Sequence, residues 1–218
     1  MRESMASHSF QHTHTTFMRG NHVVNANPIE SADAFVSQVD VQRHHPLTIF
    51  LHWATLLLIL LSAAAIFGRE LVDDKAIQSE LMSLHRSFGL LILVLVLLRI
   101  IVRMLPTTES VDHGLPLFLR LMAVASHGAI YVMLAGLPLL GWALSNARGV
   151  EVVLFGLLPL PRLIATDPDL ADTLADFHEW GAWVLYAVIA VHASAALWHH
   201  HVRKDQVLKT MLPDWKRS

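Results

Sequence analysis

The sequence contains no cysteine and little charge. None of its 218 residues is a cysteine, which excludes disulfides, iron–sulfur clusters with thiolate ligands, and covalent haem attachment through a C-x-x-C-H motif. Charged residues make up 16% of the chain, against roughly 25% in soluble domains. The formal net charge of -2 gives no basis for nucleic-acid binding. The chain is therefore neither a disulfide-stabilised domain nor a basic nucleic-acid-binding protein.

Hydrophobic residues and histidines are abundant instead. Hydrophobic residues account for 54% of the chain, and there are 15 histidines. A membrane-spanning helix needs about 20 apolar residues, and four segments qualify, at residues 47–67, 81–104, 121–145 and 177–201. Buried helices of a large soluble core are the alternative, but a chain this short has little room for four of them. The sequence predicts an all-α integral membrane protein, an up-down four-helix bundle in the lipid bilayer.

The segments outside this bundle are polar. Residues 1–45 show no sustained apolar period and no signal-peptide core, and we predict a disordered N-terminal cytoplasmic tail there. The transmembrane domain is predicted over residues 46–213, and residues 214–218 form a C-terminal cytoplasmic tail. Lys and Arg flank the first segment's start, the connection between the second and third segments, and the fourth segment's end. Since Lys and Arg favour the cytoplasm, both termini are predicted to be inside.

Two histidines of the fourth segment suggest a metal or haem held by imidazole. His178 and His192 lie 14 residues apart. On a helix this spacing is about 40° short of four full turns, so both rings lie on nearly the same face, ~21 Å apart along the axis. A single metal ion cannot bridge that distance. Two haems stacked across the membrane, each with one ligand from this helix, would need this arrangement.

Each haem then needs a second ligand from another helix at matching depth. His85 lies near the outer start of its segment, as His178 does, which predicts an outer pair of His85 and His178. At the inner level, His52 and His127 are both candidates to pair with His192. We pair His52 with His192 and keep His127 as the alternative ligand or as a quinone-side residue. For each histidine the competing interpretation is a hydrogen bond to a neighbouring helix, but ionisable groups inside membranes are usually functional.

Small residues share a helix face with these histidines. Gly89 follows His85 by four positions and Gly181 follows His178 by three, while Ala195 and Ala196 follow His192. Small side chains there would let a flat macrocycle approach the backbone. Ordinary packing of helices through small residues predicts the same pattern, so the two interpretations stay open.

Four runs of the chain together resemble the bacterial cytochrome b561 family. The resemblance extends from about Pro46 to Pro213 and takes in every predicted span in order. The runs are PLTIFLHWATLLLILL, LHRSFGLLILVLVLLRIIVRM, SHGAIYVMLAGLPLLGW and FHEWGAWVLYAVIAVHASAALWHHHVRKD.

The resemblance implies a multi-pass cytochrome of the bacterial inner membrane with two non-covalent b haems. It implies axial ligation of the haem irons by His52, His85, His178 and His192. It further implies an oxidoreductase that takes electrons from superoxide on the periplasmic side and passes them to ubiquinone near the cytoplasmic side. His199 matches a histidine implicated at the quinone site of the family. No separate catalytic residue is expected, because electron transfer needs none at iron.

Two features leave the electron donor open. The outer loops are acidic, and their negative charge disfavours an anionic donor. The acidic residues nearest the fourth span are Asp167, Asp169, Asp172 and Asp176. Arg86, Arg148 and Arg162 offset this charge locally. The alternative function is a cytochrome b subunit that anchors a dehydrogenase or hydrogenase partner and connects it to the quinone pool. A haem-free transporter or metal-binding factor is the third possibility, and the paired depths of the histidines speak against it.

Overall fold

Four long helices dominate the structure, a computed structural model that describes residues 45–104, 117–204 and 208–212. We number the helices α1 (Pro46–Glu70), α2 (Lys75–Met104), α3 (Leu117–Ala147) and α4 (Pro168–Trp198). The first three each contain one predicted span, and α4 with the helical turn that follows it contains the fourth; all four are long and apolar enough to cross a membrane. The expected all-α membrane bundle is confirmed. Apart from His45, the predicted tails at residues 1–45 and 214–218 lie outside the described residues.

Side chains at the helix ends explain where two helices begin. The His45 side chain caps α1 by accepting a hydrogen bond from the Leu47 N–H, and Pro46 occupies the first turn, where no N–H is needed. The Asp167 carboxylate caps α4 in the same way through the Leu170 N–H at 3.0 Å, with Pro168 next to it. The fourth helix therefore begins about nine residues before the predicted span, because its first two turns are polar and carry no hydropathy signal.

Consecutive helices pack against one another along the bundle. Helix α1 packs on α2, α2 on α3, and α3 on α4. A small apolar core joins the last three helices through Ile92, Val96, Leu134, Leu137 and Leu185. Most other large apolar side chains are exposed on the surface of the bundle. Lipid would cover these side chains in a membrane, so apolar exposure here is expected.

The connection between α3 and α4 contains a β-hairpin that the sequence did not predict. Strand β1 (Val153–Leu154) pairs antiparallel with β2 (Leu158–Pro159). The Phe155 N–H donates to the Ser87 hydroxyl of α2 at 2.9 Å. The Phe155 ring also packs edge-on against Phe88, with centroids 5.9 Å apart. These contacts hold the hairpin over the N-terminal half of α2. We call this end of the bundle the hairpin end, and the other the opposite end.

The chain after α4 turns back onto α1 at the opposite end. Helix α4 continues as a π-helical turn over His199–Arg203, which Lys204 ends in a left-handed conformation. A short 3-10 helix, Lys209–Met211, follows. The Trp53 indole N–H donates to the Met211 carbonyl at 2.9 Å. This bond ties the C-terminal segment to α1 close to His52.

Candidate functional site

His85 and His178 meet between α2 and α4 at the hairpin end. Their ring centroids are 6.1 Å apart, and the ring planes are nearly perpendicular, at 84°. The Nδ1 of His85 lies 3.0 Å from the backbone carbonyl of Ser62 and 3.0 Å from its hydroxyl. A proton on Nδ1 donated to the carbonyl leaves Nε2 with a free lone pair. This is how ligating histidines are usually oriented in proteins.

A cavity surrounds this pair and receives side chains from all four helices. Apolar residues predominate in its lining, and Ser62 and the two histidines are among its few polar members. A Cβ added at Gly89 would meet no atom within 4 Å. The face beside His85 is therefore open, as a flat macrocycle would require.

Glycine at position 141 is a feature that the sequence analysis missed. A Cβ there would lie 3.1 Å from Cε1 of His178, closer than ordinary van der Waals contact. Gly141 lies on α3, one turn from Pro138, and no spacing in the sequence connects it with a histidine of α4. Gly181, by contrast, faces Leu137, whose Cδ2 would be 2.6 Å from an added Cβ. At Gly181 the helix-packing interpretation is the correct one.

A second cluster of histidines lies towards the opposite end. The rings of His127 and His192 have centroids 5.0 Å apart. The Nδ1 of His127 lies 2.6 Å from the Ala123 carbonyl, so this nitrogen donates and Nε2 remains free. His52 lies within electrostatic range of both rings. All three inner candidates predicted from the sequence therefore gather at one level, and about four turns of α4 separate His192 from His178 of the other pair.

Arg99 belongs to the same cluster. Its Nη2 lies 3.4 Å from Nδ1 of His52, and its Cζ lies 5.4 Å from the centroid of the Tyr131 ring. Tyr131 follows His127 by one helical turn on α3. From the sequence, Arg99 is simply one of the positive charges near the connection between the second and third spans. Its contacts come from α1 and α3, which sequence spacing on α2 does not reveal.

His199 lies outside both clusters. It follows His192 by seven residues and begins the π-helical turn, with its ring edge-on to Trp198 at 5.3 Å. In the same turn, Nδ1 of His200 is buried without a hydrogen-bond partner among the described residues. This turn places several imidazoles at the end of α4, next to the segment that returns to α1.

The residues at the hairpin end fit a haem. Among the described residues, no group of three or more His, Asp or Glu side chains is arranged to hold a metal ion. The histidines instead form pairs from facing helices. A linear imidazole–metal–imidazole unit with metal–nitrogen bonds of about 2 Å has ring centroids roughly 6 Å apart, close to the 6.1 Å of His85 and His178. Nδ1 of His178 is buried and has no hydrogen-bond partner in the described part of the chain.

An apolar four-helix bundle with facing histidine pairs at two levels is the architecture of a membrane cytochrome with non-covalent haem. Comparison with known proteins specifies which one. The chain belongs to the prokaryotic cytochrome b561 family, whose pattern it matches over residues 43–214. Members of this family carry electrons in membranes and bind haem b, so both properties follow for this chain at the level of the family.

Relatives from two bacteria are similar to this protein over more than half of the chain. A Yersinia pestis protein described as a probable superoxide oxidase CybB is 36% identical over 173 residues, which cover 79% of this chain and 97% of the relative. Cytochrome b561 homolog 1 of Escherichia coli strain K12 is 30% identical, with 79% and 98% covered. Cytochrome b561 homolog 2 of the same strain is 31% identical over 59% of this chain and 69% of its own.

Proposed function

We propose that this protein is a di-haem electron-transfer protein that oxidises superoxide at the hairpin end and reduces ubiquinone at the opposite end. The observation that carries the proposal is the gathering of histidines at two levels of one bundle, with His178 and His192 of α4 each contributing to one level. We assign the hairpin end to the periplasm and both termini to the cytoplasm. This orientation follows from the Lys and Arg residues at the opposite end.

The outer site is proposed to use His85 and His178 as the two iron ligands. Their separation, the open face at Gly89 and the orientation of His85 by Ser62 support this assignment. When bound, haem supplies reversible one-electron chemistry. Two histidines occupy both axial positions, so they leave no open site for substrate at iron and confine the protein to outer-sphere electron transfer.

The inner site is proposed to use His52 and His192, with His127 as the alternative ligand. The resemblance to the family implies that His52, on α1, is the ligand. His127 has its own support, because the Ala123 carbonyl already orients its ring. Its centroid is 5.0 Å from that of His192, about 1 Å less than a linear metal bridge needs. The two rings would have to separate to admit an iron atom.

A cluster of arginines supports an anionic donor at the hairpin end. Arg86 lies one residue after His85 and within the range of electrostatic repulsion from Arg148 and Arg69. Like charges held together create a local positive field that attracts small anions, even where the surrounding loop is acidic. Superoxide is such an anion, and one relative is described as a probable superoxide oxidase. The acidic residues around the start of α4 therefore do not exclude superoxide.

The proposed reaction balances in electrons and protons. Two superoxide ions each lose one electron and become dioxygen, and ubiquinone gains two electrons and two protons to become ubiquinol. The chain has to deliver the protons at the inner side, where His199 begins the π-helical turn after α4. His199 is proposed as a residue of the quinone site. Its position beyond His192 on the same helix, ~10 Å further towards the end, supports this role.

An anchor subunit for a partner enzyme is the second candidate. The observation that favours it is the exposed apolar tip of the hairpin, where Leu157 is 87% exposed and Leu158 is 56% exposed. An apolar surface held on the hairpin over α2 could contact a periplasmic redox protein. Under this alternative the haems and the quinone site are unchanged, and only the donor differs.

Spectroscopy and kinetics on the full chain purified in detergent test the proposal. Two b-type haems per chain by pyridine haemochrome, with a sharp low-spin reduced band, are expected. Rapid reduction by superoxide, followed by reoxidation on addition of a ubiquinone, completes the expected result. Two haems that superoxide does not reduce would favour the second candidate, an anchor subunit for a partner enzyme. A well-folded protein without haem would refute both.

A further inference from the structure

Arg99 is a half-buried arginine at the level of the inner histidines. Its Nε is buried and has no hydrogen-bond partner among the described residues. Its remaining contacts are the Tyr131 ring, 5.4 Å from Cζ, and Nδ1 of His52, 3.4 Å from Nη2. A cation–π contact and one long hydrogen bond satisfy a guanidinium with five N–H donors only in part.

The helices around Arg99 carry no Asp or Glu near its level in the bundle. The sequence has no Asp or Glu over residues 46–69, 81–108, 113–150 and 180–204. A cation removed from water is costly unless an anion or several acceptors replace the solvent. Arg99 is thus a cation without a carboxylate from its own helix or from the neighbouring spans at this level. An anion from outside the chain would complete its environment.

The contact with His52 points to the same conclusion. A guanidinium can only donate, so Nδ1 of His52 accepts and the ring proton is on Nε2 in this arrangement. A histidine that binds iron through Nε2 carries its proton on Nδ1 and no longer accepts there. Arg99 then loses its acceptor when His52 becomes a ligand. Arg99 also contacts Tyr131, which lies one turn after His127 on α3.

We propose that Arg99 is the counter-cation of the inner haem, where it pairs with a carboxylate of the bound macrocycle and raises the reduction potential of the inner haem above that of the outer one. The proposal rests on the di-haem function proposed above. A fixed positive charge beside a redox centre stabilises the form that holds the extra electron. Arg99 acts through the cofactor and is therefore a positioning residue. Its charge makes electron flow from the outer to the inner site favourable.

The experiment compares Arg99→Gln with Arg99→Lys and with the control Arg103→Gln. Arg103 lies one turn further along α2 and is exposed, so it matches Arg99 in helix, charge and side of the membrane. Optical redox titration of each purified full-length protein gives the two midpoint potentials, and His192→Ala identifies which belongs to the inner haem. Thermal loss of haem absorbance reports on folding independently of activity.

The expected result is a selective change at the inner haem. Arg99→Gln should lower its potential enough to shift the distribution of electrons between the two haems at least tenfold, which is 59 mV for a one-electron couple. Arg99→Lys should restore most of the potential, and Arg103→Gln should leave both potentials unchanged. Loss of the inner haem in Arg99→Gln but not in Arg99→Lys would also support the proposal, because charge alone would then retain the cofactor.

Other outcomes would overturn it. Three results would show that Arg99 acts through packing or through the general electrostatic field of the protein. They are equal shifts of both haem potentials, no shift of either, and loss of the inner haem from both Arg99 variants. A wild-type protein with fewer than two haems would instead refute the di-haem function. Wild-type protein with two haems and an unresponsive Arg99→Gln variant would refute the counter-cation alone.

Discussion

Nδ1 of His85 on α2 lies 3.0 Å from the backbone carbonyl of Ser62 on α1. The acceptor that orients the outer histidine is therefore a main-chain atom, and the hydroxyl of Ser62, also at 3.0 Å, is a second partner. A carbonyl four residues back accepts from the His127 ring in the same way on α3. Backbone acceptors make the tautomer of these rings insensitive to most side-chain substitutions.

Ser62→Ala should therefore retain the outer haem. The carbonyl stays in place, and only the hydroxyl contact is lost, which within a membrane costs about 0.6 kcal/mol. Haem content by pyridine haemochrome and the midpoint of thermal haem loss measure the effect. Ser145→Ala is the control, because its hydroxyl bonds within its own helix to the Gly141 carbonyl. Loss of the outer haem from Ser62→Ala alone would show that the hydroxyl is the essential partner.

Histidine substitutions should form two pairs, and both members of a pair should remove the same haem. His85→Ala and His178→Ala should each abolish the same haem and leave the other largely intact, because one iron needs both rings. His192→Ala should abolish the other. Separate redox titrations of the purified variants distinguish the two spectra.

Two further variants, His52→Ala and His127→Ala, identify the second ligand of the inner haem. We expect His52→Ala to reproduce the spectrum of His192→Ala, and His127→Ala to retain both haems. The reverse result would assign the inner iron to His127 and His192, the pair whose rings lie 5.0 Å apart. Imidazole added to the affected variant should restore the low-spin band in either case.

Gly89→Leu should block the outer site. An added Cβ meets nothing within 4 Å at this position, so the apoprotein accepts the side chain, and a leucine then fills space beside His85. We expect loss of the outer haem with little change in helix content by circular dichroism. Gly136→Leu is a matched control, since its Cβ also has open space and it does not line the cavity. Equal haem loss in both variants would contradict a specific role for Gly89.

Gly141→Ala should disturb the outer haem through His178. The new methyl group would lie 3.1 Å from Cε1 of the ring, and overpacking of this kind costs ~1–3 kcal/mol. We expect earlier thermal release of the outer haem and an altered low-spin spectrum. Gly128→Ala, whose Cβ has free space, should behave as wild type. An unchanged outer haem in Gly141→Ala would mean that the ring can yield without loss of ligation.

Much of the architecture could be read from the chain before the structure. Hydropathy alone places four helices, because a helix in lipid must satisfy its backbone internally and expose apolar side chains over its whole length. The helical repeat then predicts that His178 and His192 share a face. The outer pair also followed, since similar distances from the outer starts of two spans that run in the same direction imply similar depth, and the structure brings the ring centroid of His85 within 6.1 Å of that of His178.

Other features depended on contacts between helices that no local pattern encodes. The hairpin has strands of two residues each and is held by Ser87 and Phe88 from another element, so its sequence carries too little periodicity to predict it. The choice between His52 and His127 depends on distances across the bundle. The role of Gly181 depends on Leu137, a residue of a different helix.

The sequence by itself determined that this is a four-helix membrane protein with histidines at two depths, because hydropathy and helical repeat are properties of single segments. Only the tertiary structure decided which side chains complete each level. Arg99 shows the difference most clearly. Its position on α2 predicts a charge that flanks the membrane, while its neighbours His52 and Tyr131 come from α1 and α3. Contacts of that kind form only when packing of the helices brings together side chains that are far apart in the sequence and partly withdraws a charge from solvent.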